Sequence, residues 1–344
     1  MRIRLKTVIL SILALLVLVV LGGITAIGWQ VVLGPKKREV SATPFEKTEA
    51  RLARGKYLVE GPAHCFHCHS EHDLSTPTYP TSQTKKGAGW VMPIPELNHI
   101  ASRNITPDVE TGIGSWSDDE VARAIREGVR KDGTALFPVM PYVDYASMDD
   151  EDVKAIVVYI RTLAPVRNQV PARNLPFPLE YIVKTIPQPI TSARPAHASA
   201  TPQERGSYLV TLAGCAGCHT ITESGVPRAG LTLAGGAKFD LPGGVTTHSA
   251  NITADPSGIQ HYDEGMFIQV FRTGSLPGRM LSHIMPFEFF RNITDDDLRD
   301  IFAYLRAQPP VKHRISNTDP PTMCPVCKQE HGLGNLNVAA TKTN

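Results

Sequence analysis

The sequence predicts an all-α chain: an N-terminal transmembrane helix followed by two tandem copies of one helical domain. Three observations carry this expectation. Val8 to Gly34 is a nearly unbroken apolar run with no charged side chain, three blocks of sequence recur in the same order in two halves of the chain, and each copy ends in an amphipathic segment. At 344 residues there is room for two domains, each with its own core. A net charge of +2 gives nucleic-acid binding no electrostatic support.

Residues 1–34 are the expected membrane anchor, since roughly 20 helical residues cross the hydrocarbon core and the apolar run exceeds that. A cleaved secretory signal is the rival, but its apolar centre is usually about 7 to 15 residues long, and "ITA" is a poor cleavage site. Arg2, Arg4 and Lys6 favour a cytoplasmic N-terminus, against the opposing pull of "KKR" at Lys36 to Arg38. The remainder is then expected on the periplasmic side of a bacterial inner membrane.

The repeat defines the rest. "RGKYLVEGPAHCFHCH" from Arg54 matches "RGSYLVTLAGCAGCH" from Arg205 with a one-residue gap; "RNITPD" from Arg103 matches "ANITAD" from Ala250; the segment from Val139 to Val166 matches that from Ile284 to Val311. Domains are expected at 43–166 and 201–314. Between them, 167–200 is proline-rich and reads as a semi-rigid strap. A tail follows at 315–344. Ser117 with Glu120 forms a capping-box pattern ahead of "VARAIREGV". Val153, Ile156, Val157 and Ile160 fall at i, i+3, i+4, i+7, as do Leu298, Ile301, Phe302 and Leu305, which marks two closing helices packed on cores. No segment alternates with period two.

Both copies contain Cys, two residues, Cys, then His. Cysteines three apart lie on one helix face, so Cys65 with Cys68, and Cys215 with Cys218, can each form thioethers along one edge of a porphyrin. The adjoining His69 or His219 can then bind the iron from the same side. The pattern is the attachment signature of c-type haem, and two covalent haems are expected. His64, His67 and His72 are not required. A redox dithiol needs neither the histidine nor the duplication, and structural zinc needs four ligands at another spacing. For the sixth position, Met140 and Met285 are the methionines that superpose between the copies; each precedes a proline, which suits a loop across the far haem face. Met280 and His283 are rivals to Met285, and Met92 reads as loop or core. Tyr57 and Tyr208 read as core aromatics, Trp116 and Tyr262 as packing aromatics at helix starts, and Asn104 and Asn251 either as turn residues or as neighbours of a propionate.

The order CxxCH, "NITPDVETGIGSWSDDEVARAIREGVRKDG", "MPY", "DDEDVKAIVVYIR" resembles the class I cytochrome c domains of the cytochrome subunits of membrane-bound alcohol and gluconate dehydrogenases, closely in the first copy and more loosely in the second. The resemblance implies two tandem class I cytochrome c folds, with His69 and Met140 on one iron and His219 and Met285 on the other. Those subunits commonly carry three haems, whereas this chain has two attachment motifs.

Cys324 and Cys327 form a third close pair, but Lys328 occupies the place where a haem ligand would stand. A local disulfide is the first reading. A metal site using both sulfurs and His331 shows no fourth ligand in the sequence. With a ligand expected on each face of both irons, the function expected is electron transfer, with a dehydrogenase subunit, a soluble cytochrome or a terminal oxidase as partner. A dihaem peroxidase, which needs an iron able to open a position, is the alternative, and a haem-based gas sensor a third reading.

Overall fold

A computed structural model describes residues 5–92, 100–195, 200–223, 225–241 and 243–338. Arg2 and Arg4, four residues of the strap and the end of the tail lie outside them. Most of the apolar run lies in one helix, Leu5–Ile27, of 23 residues, and its end forms a separate helical turn at Gln30–Leu33. At 1.5 Å per residue the longer one is about 34 Å, long enough to cross a bilayer, and the stretch Lys6–Thr25 has none of its surface covered by the rest of the chain.

Each copy then builds the same helical frame. In the first, an opening helix Glu49–Glu60 leads to a short attachment helix Cys65–His69, a middle helix Asp118–Glu127 and a closing helix Asp150–Ile160. The second repeats it as Pro202–Leu212, Cys215–His219, Glu264–Thr273 and Asp295–Ala307. The expected capping box is present: Ser117 Oγ accepts the Glu120 N–H at 3.2 Å, and the Glu120 carboxylate accepts the Ser117 N–H at 2.8 Å. Thr201 and Glu204 form a second one.

Opening and closing helices cross at a glycine in both copies. A Cβ on Gly55 would lie 2.0 Å from the Ala155 carbonyl oxygen, and one on Gly206 would lie 2.0 Å from that of Asp300. The "RG" of each repeat is therefore where two backbones touch. The apolar stripes face inward: Val153, Ile156, Val157 and Ile160 are buried, as are Leu298, Ile301, Phe302 and Leu305.

Helices supply the frame of both domains, but the expectation of an all-α chain is too narrow. Among the described residues, four two-stranded antiparallel hairpins lie between Thr222 and Gly332. Three have strands of two to four residues, too short to print a period-two pattern. The strap is also more structured than its prolines suggest. It holds a helical turn at Leu179–Ile182 and lies along the first domain, where Asn168 donates to the carbonyls of Ala88 and Gly89 and Arg103 donates to that of Pro171.

The two domains meet through a reciprocal contact. The Tyr57 hydroxyl donates to Asp297 at the start of the second closing helix, and the Tyr208 hydroxyl donates to Asp152, 2.7 Å away, at the start of the first. These tyrosines superpose in the repeat, and so do these aspartates. Both rings pack among core side chains, as expected from the sequence, but their hydroxyls cross to the other domain. Tyr208, Leu212 and Phe289 join the core cluster of the first domain.

Candidate haem sites

The first attachment helix forms one wall of a cavity of about 780 Å³. Cys65, Cys68 and His69 line it together with Met140, so the structure gathers the four side chains singled out in the first copy around one space. Ile105, Ile113, Val121 and Trp116 supply apolar wall, and Arg103, Arg130 and Arg173 also line the cavity, Arg130 paired with Asp132 and Arg173 with Glu180. Burial and the two neighbouring arginines pull the Arg103 guanidinium below its ordinary value. An anionic group beside Arg103 would offset that repulsion, which suits a flat apolar macrocycle with carboxylates on one edge. The arginine cluster was not legible in the sequence, because its members come from three separate segments.

The His69 ring is fixed by a 2.6 Å hydrogen bond from Nδ1 to the Arg103 carbonyl, and the His219 ring by a 2.7 Å bond from Nδ1 to that of Ala250. A carbonyl oxygen can only accept, so Nδ1 carries the proton in both rings and Nε2 keeps its lone pair. Burial lowers the proton affinity of both imidazoles, which favours the neutral, ligating form. Backbone bonds brace the same helices: Gly89 N–H to the His69 carbonyl at 2.8 Å and Gly235 N–H to that of His219 at 2.7 Å.

Burial pushes Cys65 and Cys215 up to about 12 and Cys68 up to about 11, opposite to the lowered values that make cysteines reactive. Cys218, of the second motif, adds to the effect on Cys68.

In the second copy Cys215, Met285, Ile252 and Tyr262 pack on that domain's core, as Cys65, Met140, Ile105 and Trp116 do in the first. Both methionines sit in the same turn, each carbonyl accepting from the residue after the proline, at 2.8 Å from Tyr142 and 2.7 Å from Phe287. Met280 is 69% exposed on a hairpin, which sets it apart from this turn. His283 lies against Phe287 with a buried Nε2 that has no hydrogen-bond partner. Met92 packs with Ile100, Leu175 and Val183 at one end of the first cavity.

The surplus histidines of the first motif have other places. His64 and His67 pack edge-on against Phe290 and Phe289 of the second domain. Both nitrogens of His72 face backbone carbonyls, those of Tyr79 and His67. Asn104 and Asn251 are turn residues: each amide oxygen accepts from the threonine two residues on, and each Nδ2 donates to the carbonyl of a valine beyond the closing helix, Val166 or Val311. The disulfide expected between Cys324 and Cys327 is not formed. Both are free, fully buried thiols in a tight turn, where the Cys327 N–H donates to Cys324 Sγ.

Comparison with known proteins agrees with this geometry. The cytochrome c family matches residues 52–164 and again 203–309. The chain is 29% identical over 281 residues to the gluconate 2-dehydrogenase cytochrome c subunit of Pantoea cypripedii, covering 76% of this chain and 60% of that one. It is 32% identical over 290 residues to the fructose dehydrogenase cytochrome subunit of Gluconobacter japonicus, covering 78% and 56%. A diheme cytochrome c-type protein of Cereibacter sphaeroides is 28% identical over 221 residues, covering 61% and 71%. The chain thus spans less than two thirds of the length of the two dehydrogenase-associated relatives. Domains of this kind imply covalently bound haem c, and on these two matched regions the chain belongs to the cytochrome c family.

Proposed function

We propose that the chain is a membrane-anchored dihaem electron carrier. Cys65 and Cys68 would hold one haem by thioethers, with His69 and Met140 as its axial ligands; Cys215, Cys218, His219 and Met285 would do the same for the second. The observation that carries this is the matched hold on His69 and His219, each with Nδ1 tied to a carbonyl and Nε2 left free beside an attachment motif. Bound haem iron supplies reversible one-electron chemistry. The chain's own part is to fix the ligand rings, to offer a thioether that favours the reduced iron, to exclude water with the apolar wall, and to meet a propionate with Arg103.

With Met140 and Met285 as ligands, neither iron would keep a position open for peroxide, which disfavours catalysis at iron. The relatives named as dehydrogenase cytochrome subunits support a dehydrogenase as electron donor. The Leu5–Ile27 helix supports anchoring in the bacterial inner membrane, and in this reading both domains stand on the periplasmic side. The intact mass of the protein from its native host tests the reading. Polypeptide plus two haems that resist acid–acetone extraction is the expected result, and bare polypeptide mass would overturn it.

A further inference from the structure

Beyond the second closing helix, the chain folds back and brings four ligating side chains to one point. His313, Cys324, Cys327 and His331 are all fully buried, at 0% exposure, and their ligating atoms all lie within 4.8 Å of one another. The two cysteines sit in the turn between strands Ser316–Met323 and Glu330–Gly332. That turn is closed by Cys324 N–H to the Gln329 carbonyl and Lys328 N–H to the Cys324 carbonyl, both 2.9 Å. His331 comes from the second strand, and His313 from the stretch between the closing helix and the first.

The histidines are prepared in the same way as those of the haem motifs. His313 Nδ1 donates to the Ala234 carbonyl and His331 Nδ1 to that of Gly332, each at 3.0 Å. Both lone pairs are therefore on Nε2, and both Nε2 atoms are buried with no hydrogen-bond partner. Beside two buried thiols, these two lone pairs are polar groups that nothing in the chain satisfies.

The repeat provides an internal control. Asn168 holds the place of His313 in the first copy: its N–H donates to Thr111 Oγ1 at 3.0 Å, as that of His313 donates to Ser257 Oγ at 2.9 Å. Its Nδ2 donates to the Ala88 carbonyl at 2.9 Å, matching His313 Nδ1 on Ala234. The asparagine spends its amide nitrogen on the carbonyls of Ala88 and Gly89. The histidine spends Nδ1 on the Ala234 carbonyl and keeps a second nitrogen beside the cysteines.

We propose that His313, Cys324, Cys327 and His331 bind a structural zinc ion through two thiolates and two Nε2 atoms. Two sulfur and two imidazole ligands in a closed tetrahedral set select zinc, with Zn–S near 2.3 Å and Zn–N about 2.0–2.1 Å. Binding converts two thiols to thiolates and releases two protons for each Zn²⁺ taken up. With four protein ligands no position is open for catalysis. The ion pins the tail to the Leu231–Ala234 loop, whose next residue, Gly235, holds the backbone of His219.

Elemental analysis of the full chain from zinc-replete native host, with Zn-edge X-ray absorption, tests this. One zinc per chain with two sulfur and two nitrogen neighbours is expected. His313→Asn, which copies the first domain and keeps the bond to Ala234, is expected to lower zinc content at least tenfold while iron content stays the same; Cys324→Ser serves as a second variant. One equivalent of a different divalent metal would overturn the choice of ion. A wild-type mass two hydrogens short, marking a disulfide, or free thiols that take up no added Zn²⁺, would overturn the site, and zinc retained in full by His313→Asn would overturn the ligand set.

Discussion

Replacing Gly55 with alanine sets two effects of opposite sign against each other. In an isolated helix the change is favourable by about 1 kcal/mol, because glycine has the greater backbone freedom to lose. At this crossing the added methyl would lie 2.0 Å from the Ala155 carbonyl oxygen and 2.7 Å from Tyr159 Cβ, where ordinary contact begins near 3.4 Å. The first obstacle is backbone, so the opening and closing helices must part by more than an ångström. Overpacking of this kind costs about 1–3 kcal/mol, occasionally more, and here the displaced helix also carries the buried Val153–Ile160 stripe. The expected outcome is a net destabilisation of about 2 kcal/mol, after the propensity gain is subtracted. Urea unfolding followed by far-ultraviolet circular dichroism would read it as a lower midpoint at unchanged slope. Lys56→Ala, at an exposed site on the same helix, is the control and should stay within about 0.5 kcal/mol of wild type. A Gly55→Ala protein as stable as wild type, or more so, would show that the backbones do not touch as described.

The reciprocal domain contact and the segment that follows the Leu5–Ile27 helix offer two further tests. Tyr208→Phe should cost about 1.5–3 kcal/mol of stability, because it removes a hydrogen bond to the buried Asp152 carboxylate, whereas Tyr57→Phe, facing the more exposed Asp297, should cost about 1 kcal/mol; the reverse order in thermal melts would contradict the burial argument. Asp119 anchors the segment after the Leu5–Ile27 helix by accepting from Arg38 at 2.6 and 2.7 Å and from the Ser41 N–H at 2.7 Å. Burial opposes its ionisation, but these bonds outweigh burial and hold its carboxyl below the usual 3.8. Its contribution is therefore complete above pH 3.8 and is lost as pH falls through the lower folded value. Hydrogen exchange at the Ser41 amide should lose protection in that acid window in wild type but not in Asp119→Asn, and pH-independent protection in wild type would refute the assignment.

Local chemistry was readable from the sequence where it is written within a few residues. The Cys-x-x-Cys-His helices, the Ser117–Glu120 box and the apolar stripes of both closing helices all depend on neighbours at most seven positions away. What escaped depends on distant partners or on very short elements. Tyr57 and Asp297 are 240 residues apart and Tyr208 and Asp152 are 56 apart, so each tyrosine looks like core until the domains are placed together. His64 and His67 looked like spare ligands for the same reason. The hairpins of two-residue strands carry no periodic signal at all. His313 is the most instructive omission: the repeat aligns it with Asn168, but only the fold shows that the two make the same bonds.

The Tyr–Asp exchange between the domains has the form of a twofold dimer contact, in which the same patch serves both sides. Here both partners are encoded in one chain, so the encounter needs no second molecule and does not weaken on dilution. Such a handshake also saturates itself, leaving no unmatched copy of that patch to recruit another protein. Any external redox partner must therefore approach by a different face.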